Sequence, residues 1–145
     1  MGMALLPELL VYADGASRGN PGPAALGIVL CDGFENVIQT HRQSIGRATN
    51  NEAEYRALIR ALELAAQHTR ARVEVFMDSQ LVINQMSGDF KIKEARLAKL
   101  ASRAKERASR FQEVTYEYVP RGHRKIKLAD TEANLALDER YGRRG

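Results

Sequence analysis

A chain of 145 residues with 44% apolar and 28% charged residues is long enough for one domain with a hydrophobic core. No run approaches the ~20 apolar residues of a membrane helix, and the short apolar start lacks the basic segment of a signal peptide, so we expect a cytoplasmic protein without a membrane anchor. The single cysteine, Cys31, excludes an internal disulfide and a thiolate zinc cluster.

The net charge of +4 is unevenly distributed along the chain. Residues 91–127 contain twelve Lys/Arg and four Asp/Glu, a balance of +8, so the remainder carries about −4. A basic second half favours a polyanionic partner. A solvated helix face would produce the same run of charges, and at this point the two interpretations stand equal.

The predicted elements follow one another as three strands, a helix, a strand, two helices, a strand and a helix. Short apolar or alternating runs predict strands at 9–13, 24–31, 37–45, 73–77 and 114–119. Apolar residues at helical spacing predict helices at 49–66, 79–86, 95–111 and 129–137. Tight turns make the first three strands antiparallel, whereas strands joined through helices are free to run parallel. We therefore predict an α/β fold: a five-stranded mixed sheet, three strands antiparallel and then two parallel, flanked by helices. It forms a single domain over residues 1–145 with loose tails at 1–8 and 139–145.

Two of the predicted strands are followed by aspartates, Asp14 and Asp78. If these strands are parallel neighbours, the carboxylates emerge side by side about 4.8 Å apart, at the sheet edge where open α/β sheets bind ligands. Oxygen ligands without Cys or His suit Mg²⁺ or Mn²⁺. Alternatively, Asp14 merely starts a turn and Asp78 merely caps a helix.

Other carboxylates could complete such a site. Glu52 and Glu54 flank the apolar stripe of the first helix on opposite sides, so helical spacing does not choose between them, and Glu54 could simply complement the helix dipole. Asp130 could be a cap or surface decoration of the last helix. From spacing alone, a metal site is one of two open interpretations.

Taken together, five segments resemble ribonuclease H type 1: YADGASRGNPGP, IGRATNNEAEYRALIRALELA, VFMDSQLVINQM, the VPRGH run and ADTEANLAL. They occur in the family's order, cover nearly the whole chain, and look most like the short forms that lack a basic protrusion. The resemblance implies a ribonuclease H-like fold and an endonuclease, acting as a monomer, that hydrolyses the RNA strand of RNA/DNA hybrids to 5′-phosphate and 3′-hydroxyl ends. It also implies two Mg²⁺ ions in the site, for which Mn²⁺ can substitute.

The resemblance also assigns residues. It selects Glu54 over Glu52, and matches the four metal-ligating acids to Asp14, Glu54, Asp78 and Asp130. His123 matches a loop histidine that aids proton transfer and product release in some members. One departure concerns Ile126, which stands where short members often carry an asparagine.

Contacts with the hybrid follow from the same resemblance. The pocket for a DNA-strand phosphate matches Asn20, Arg47 and Thr49. Residues that touch the minor groove match Asn50, Asn51 and Gln80. We further hypothesise that the basic face from Arg96 to Arg110 replaces part of the missing protrusion. Two rival functions are a catalytically weak or inactive nucleic-acid-binding member, and another nuclease or polynucleotidyl transferase on the same fold.

Overall fold

The computed structural model describes residues 5–88 and 91–143, and its elements follow the predicted order. The strands are β1 Glu8–Ser17, β2 Gly22–Cys31, β3 Val37–Ala48, β4 Arg72–Met77 and β5 Glu113–Tyr118. The helices are α1 Asn50–Ala65, α2 Gln80–Ser87, α3 Ala95–Ala108 and α4 Arg124–Tyr141. Within the described ranges, none of these helices has the length and apolarity needed to cross a membrane.

The five strands form one sheet in the order β3-β2-β1-β4-β5. Strand β1 pairs antiparallel with β2 on one side and parallel with β4 on the other, and β5 continues the parallel half. The predicted mixed sheet is confirmed. Strand β1 is the switch between its two halves, the position at which open sheets form a crevice.

Helices cover both faces of the sheet because side chains of a strand alternate between faces. In β1, Leu9, Val11 and Ala13 face the core formed with α1 and α3. Leu10 and Tyr12 face the second core, which α4 closes from the opposite side. The central strand is therefore buried on both faces, with α1 and α4 on opposite sides of it.

Two glycines let these helices touch the sheet backbone. A Cβ on Gly15 of β1 would lie 2.2 Å from the carbonyl carbon of Ala53 in α1. A Cβ on Gly27 of β2 would lie 1.9 Å from the carbonyl oxygen of Ala129 in α4. Side chains at either position would push a helix away from the sheet, so glycine is needed for this close approach.

Some predicted boundaries were wrong. Strand β1 does not end before Asp14, because its antiparallel pairing with β2 continues to Ser17. Helix α4 is longer than predicted, since it begins at Arg124 and ends at Tyr141. The tails are correspondingly shorter: Glu8 already pairs with Arg72, and residues 139–141 are helical rather than loose. Residues 1–4 and 144–145 of the predicted tails lie outside the described residues.

We expect Gly27→Ala to destabilise the fold, because the new methyl group overlaps the Ala129 carbonyl and α4 must move. The free energy of unfolding should fall by about 1–3 kcal/mol or more. Gly122→Ala is the matched control, because nothing lies within 4 Å of its added Cβ. Denaturant unfolding should show Gly122→Ala unchanged or slightly stabilised. Equal effects of the two substitutions would contradict the close approach at Gly27.

Candidate metal centre

Four carboxylates, from β1, α1, α4 and the bend after β4, meet at one edge of the sheet. Asp14, Glu54 and Asp78 each offer an oxygen, and these oxygens lie within 4.8 Å of one another. The Asp130 side chain lies close enough to Asp14 to contribute to the raised pKa of that residue. All four line one cleft of about 510 Å³. The structure thus brings together every acid that the sequence assigned to the site.

The register of the parallel strands places the two aspartates side by side. Tyr12 of β1 pairs with Phe76 of β4, and Asp14 and Asp78 each lie two residues further along. Asp78 is not the cap of α2, because the Ser79 hydroxyl accepts the hydrogen bond from the Val82 N–H. Nor does Asp14 start a turn, since it lies within β1. Both alternatives considered from the sequence are therefore excluded.

Helix α1 separates the roles of its two glutamates. Glu52 belongs to a capping box: its side chain accepts a hydrogen bond from the Thr49 N–H at 2.9 Å, and its own N–H donates to the Thr49 hydroxyl at 3.1 Å. Glu54 turns into the cleft, where its Oε1 accepts a hydrogen bond from the Gly15 N–H at 2.6 Å. The close contact at Gly15 thus brings α1 near enough for a strand amide to hold Glu54.

The fourth acid is oriented from within its own helix. The Asn134 side-chain amide, one turn further along α4, donates to the Asp130 carbonyl oxygen at 3.0 Å and to its Oδ1 at 3.2 Å. Asp130 directly follows Ala129, whose carbonyl lies against Gly27. The position of Asp130 beside Asp14 therefore depends on how closely α4 packs on β2.

The electrostatics of the cluster favour a bound cation. Burial, followed by the charges of Glu54 and Asp78, raises the pKa of Asp14 to about 10. Burial also raises the pKa of Glu54 to about 8, against the opposing effects of the Gly15 hydrogen bond and the Arg121 charge. Carboxylates this close ionise together only beside a positive charge. An all-oxygen donor set at this edge fits Mg²⁺ or Mn²⁺.

Most of the predicted hybrid-binding residues lie next to the acids. Asn50 and Asn51 line the same cleft. Asn20, Thr49 and Asn51 line a neighbouring depression of about 400 Å³ at the start of α1, and the Asn20 side chain accepts a hydrogen bond from the Asn50 N–H. The charged residues in the lining of this depression are one cation, Arg96, and two carboxylates, Glu52 and Glu94.

Two of the predicted hybrid-binding residues lie outside the cleft and the neighbouring depression. Arg47 is exposed on β3, and Gln80 is exposed at the first position of α2. Neither residue lines the cleft or the depression beside it.

His123 is the one predicted catalytic residue that the structure does not bring to the acids. Its Nδ1 accepts a hydrogen bond from the Lys125 N–H at 3.2 Å, so it is the N-cap of α4. Its ring stacks on Tyr12, with 5.4 Å between centroids, and Tyr12 in turn stacks on Phe76. Because α4 begins five residues earlier than predicted, the side chain expected on a mobile loop is instead part of a helix start.

Several residues of the cleft were not identified from the sequence. Arg121 lines the cleft and lowers the pKa of Glu54, although the VPRGH run had drawn attention only to its histidine. Tyr118, at the end of β5, also lines the cleft. Arg18 bridges the turn after β1 to the end of α4, donating to Asp138 at 2.5 Å and to the Gly142 carbonyl at 3.3 Å. The two Arg18 contacts join segments more than a hundred residues apart, so the spacing of residues in the sequence does not predict them.

Comparisons with known proteins give a consistent picture. A family model described as reverse transcriptase-like matches residues 12–136. The chain is 46% identical over 132 residues to a bifunctional protein of Mycobacterium tuberculosis; the match covers 90% of this chain and 36% of that protein. The chain thus spans about a third of the length of the mycobacterial relatives it matches.

Solved structures match over nearly their full length. The crystal structure of ribonuclease H1 from the halophilic archaeon Halobacterium salinarum superimposes with a TM-score of 0.86 at 44% identity, covering 91% of this chain and 98% of that one. LC11 ribonuclease H1, solved in complex with an RNA/DNA hybrid, superimposes with a TM-score of 0.84 at 36% identity, covering 91% and 98%.

The raised pKa values of Asp14 and Glu54 predict how the metal-free protein responds to pH. Both pKa values lie above the ordinary values of 3.8 and 4.5. At any pH between a group's ordinary pKa and its raised pKa, the folded chain therefore binds more protons than the unfolded chain. The free energy of unfolding therefore falls as pH rises through this range. In EDTA we expect the melting temperature to drop by about 5 °C or more from roughly pH 5 to roughly pH 9.

Two further measurements check that interpretation. Added Mg²⁺ should raise the melting temperature most at the alkaline end, where the cluster is ionised. Asp14→Asn should flatten the pH dependence in EDTA, because it removes the group with the larger shift. A melting temperature that stays level with pH in the metal-free protein would contradict the shifted pKa values.

The capping role of His123 predicts an effect on stability. His123→Ala removes the N-cap and the stack on Tyr12, so the free energy of unfolding should fall by about 1–2 kcal/mol. His123→Asn keeps a side chain that can cap and should recover part of the loss. Urea unfolding of both variants measures the difference, and equal stability of His123→Ala and the unsubstituted chain would exclude the cap.

Proposed function

Because the chain belongs to the ribonuclease H type 1 family, we propose that it is an endonuclease that hydrolyses the RNA strand of RNA/DNA hybrids. The main support is the meeting of Asp14, Glu54, Asp78 and Asp130 in one cleft that Asn50 and Asn51 also line. A relative with the same fold, LC11 ribonuclease H1, was solved with such a hybrid.

We propose Asp14, Glu54, Asp78 and Asp130 as ligands of two Mg²⁺ ions, with Mn²⁺ as a substitute. When bound, the ions would activate the attacking water and neutralise the leaving 3′-oxygen. Glu54, Asp78 and Asp130 all raise the pKa of Asp14, so a bound cation would stabilise the ionised form of this carboxylate strongly. The Gly15 amide holds Glu54 and the Asn134 amide holds Asp130, and these hydrogen bonds reduce the reorganisation needed for binding.

We propose that two kinds of contact select a hybrid: side-chain amides of the protein bind the RNA strand, and a phosphate pocket binds the DNA strand. Asn50 and Asn51 can both donate to and accept from the 2′-hydroxyls of an RNA strand. We place a phosphate of the DNA strand at Asn20, Thr49 and Arg96, with the exposed Arg47 as an outer contact; the carboxylates that also line this depression, Glu52 and Glu94, each accept backbone hydrogen bonds at a helix start. The exposed Gln80 is proposed to join Asn50 and Asn51 at the minor groove. Since these contacts go to sugars and phosphates, we expect little sequence preference and strong salt dependence.

The alternative of an inactive nucleic-acid-binding member has less support. Loss of catalysis in this arrangement would follow most simply from loss of an acid, and all four are present in the cleft. One copy of the chain supplies every one of them, so we propose that a monomer suffices. The buried free thiol of Cys31 is consistent with a reducing compartment such as the cytoplasm.

The direct test is hydrolysis of a labelled RNA/DNA duplex, compared with matched RNA/RNA and DNA/DNA duplexes. With Mg²⁺ or Mn²⁺ we expect cleavage of the RNA strand in the hybrid alone, giving 5′-phosphate and 3′-hydroxyl ends. EDTA should abolish it. Cleavage of all three duplexes, or of none, would reject the proposal.

The two glutamates of α1 form a matched pair of variants. Glu54→Gln removes a proposed metal ligand and should lower hydrolysis by at least about 100-fold, as should Asp14→Asn, with hybrid binding retained. Glu52→Gln keeps the capping box, which glutamine also forms, and should retain activity. The assignment fails if Glu54→Gln remains active or if Glu52→Gln is the variant that loses activity.

A further inference from the structure

Helices α1 and α3 lie side by side and point in the same direction. Near their starts, Arg96 of α3 is close enough to lower the pKa of Glu52 in α1. Near their ends, the Arg107 Nε donates to the Glu63 carboxylate at 3.1 Å. The surface between them therefore leads away from the depression at the start of α1, where Asn20, Thr49 and Arg96 lie.

Further along this surface, three arginines from the two helices line a second depression of about 160 Å³. Arg56 and Arg60 are one turn apart on the same face of α1, and Arg103 reaches it from α3. Among the residues lining it, Glu63 is the one carboxylate, and it is shared between ion pairs with Arg60 and Arg107. We call this cluster of Arg56, Arg60 and Arg103 the arginine depression; it keeps a net positive charge.

The three guanidinium groups retain unused donors. Arg56 donates to the Ile45 carbonyl at 3.1 Å, and Arg60 reaches Glu63 only at 3.4 Å. The Arg60 Nε is buried without a hydrogen-bond partner, and the hydrogen bonds of the described residues include none from the Arg103 side chain.

Other arginines of α3 are already neutralised. Arg107 pairs with Glu63 and Glu106, and Arg110 pairs with Glu106. The basic face predicted from Arg96 to Arg110 is thus uneven: Arg107 and Arg110 form ion pairs, whereas Lys99 and Arg103 form none among the described residues.

We propose that the arginine depression is a second phosphate subsite, which extends the grip on the DNA strand beyond the depression at Asn20 and Thr49. Guanidinium groups match phosphate oxygens in geometry as well as charge. Thr49 and Arg60 are eleven residues apart along α1, or about 16 Å, and Arg96 and Arg103 are seven apart along α3, or about 10 Å. With one phosphate per ~3.4 Å of axis on each strand, the subsite lies roughly three to five nucleotides from the first. This inference rests on the proposed function.

The test compares a short hybrid, long enough for the cleft and the first depression, with one extended by about six base pairs at each end. Binding is measured in EDTA, so that the RNA strand stays intact, over a range of salt concentrations. For the triple variant Arg56→Gln, Arg60→Gln, Arg103→Gln we expect at least about tenfold weaker binding of the long hybrid and a salt slope smaller by about 1–2. Its affinity for the short hybrid should change little.

Two matched variants separate a subsite from a general loss of charge or of folding. Replacing the same three arginines by lysine keeps the charge and should restore most of the affinity. Replacing Arg70, Arg72 and Arg124 by glutamine removes as many charges elsewhere and should spare the preference for the long hybrid. If the two glutamine triples behave alike, or if the Arg56/Arg60/Arg103 triple weakens short and long hybrids equally, the subsite is refuted. Melting temperatures check that each variant is folded.

Neutral methylphosphonates in the extension test the choice of strand. On the DNA strand they should reproduce the effect of the glutamine triple, whereas on the RNA strand they should have little effect; the reverse result would overturn the assignment to DNA. Hydrolysis of the short hybrid in Mg²⁺ tests the proposed function separately. An enzyme that cleaves the short hybrid but binds both lengths equally would keep its function and lose this subsite.

Discussion

The close contact of two helices with the sheet, made at Gly15 and Gly27, is the constraint on which the site depends. These glycines lie on neighbouring strands, and each admits a helix backbone where a methyl group would collide. The helix residue that follows each contact is an acid of the cluster: Glu54 follows Ala53, and Asp130 follows Ala129. Packing at the backbone level therefore delivers carboxylates from opposite faces of the sheet to Asp14.

The resulting cluster is electrostatically unfavourable without a cation. Burial and mutual repulsion raise the pKa values of Asp14 and Glu54 far above their ordinary range. Among the described residues, the Gly15 amide and the charge of Arg121 counter this increase at Glu54. A fold that places its acids so closely sacrifices stability of the metal-free state for affinity towards a divalent cation.

The arginines fall into two groups: some are held in ion pairs that join elements of the fold, and others are available to a ligand. Arg18 fastens the turn after β1 to the end of α4, and Arg107 joins α3 to α1. Arg56, Arg60 and Arg103, in contrast, keep donors that no described side chain satisfies fully. Whether an arginine is available depends on whether a carboxylate lies next to it. The positions of the carboxylates therefore determine which part of a basic helix can bind a polyanion.

The sequence by itself determined the order of the elements and the mixed sheet, and its resemblance to ribonuclease H type 1 selected four acids that the structure brings together. Apolar periodicity and turn residues are local signals. They predict the elements correctly because each helix or strand buries its own apolar face. Spacing alone left Glu52 and Glu54 equivalent; the resemblance chose Glu54, and the capping box at Thr49 explains physically why Glu52 is occupied elsewhere.

Only the tertiary structure decided the role of His123, the presence of Arg121 in the cleft and the pairing of the α3 arginines. His123 caps α4 because that helix begins earlier than its apolar pattern suggests, and Tyr12 from a distant strand supports the ring. Arg107 is neutralised by Glu63, 44 residues away along the chain. Contacts of this kind arise from the packing of separate elements, so no local pattern of residues encodes them.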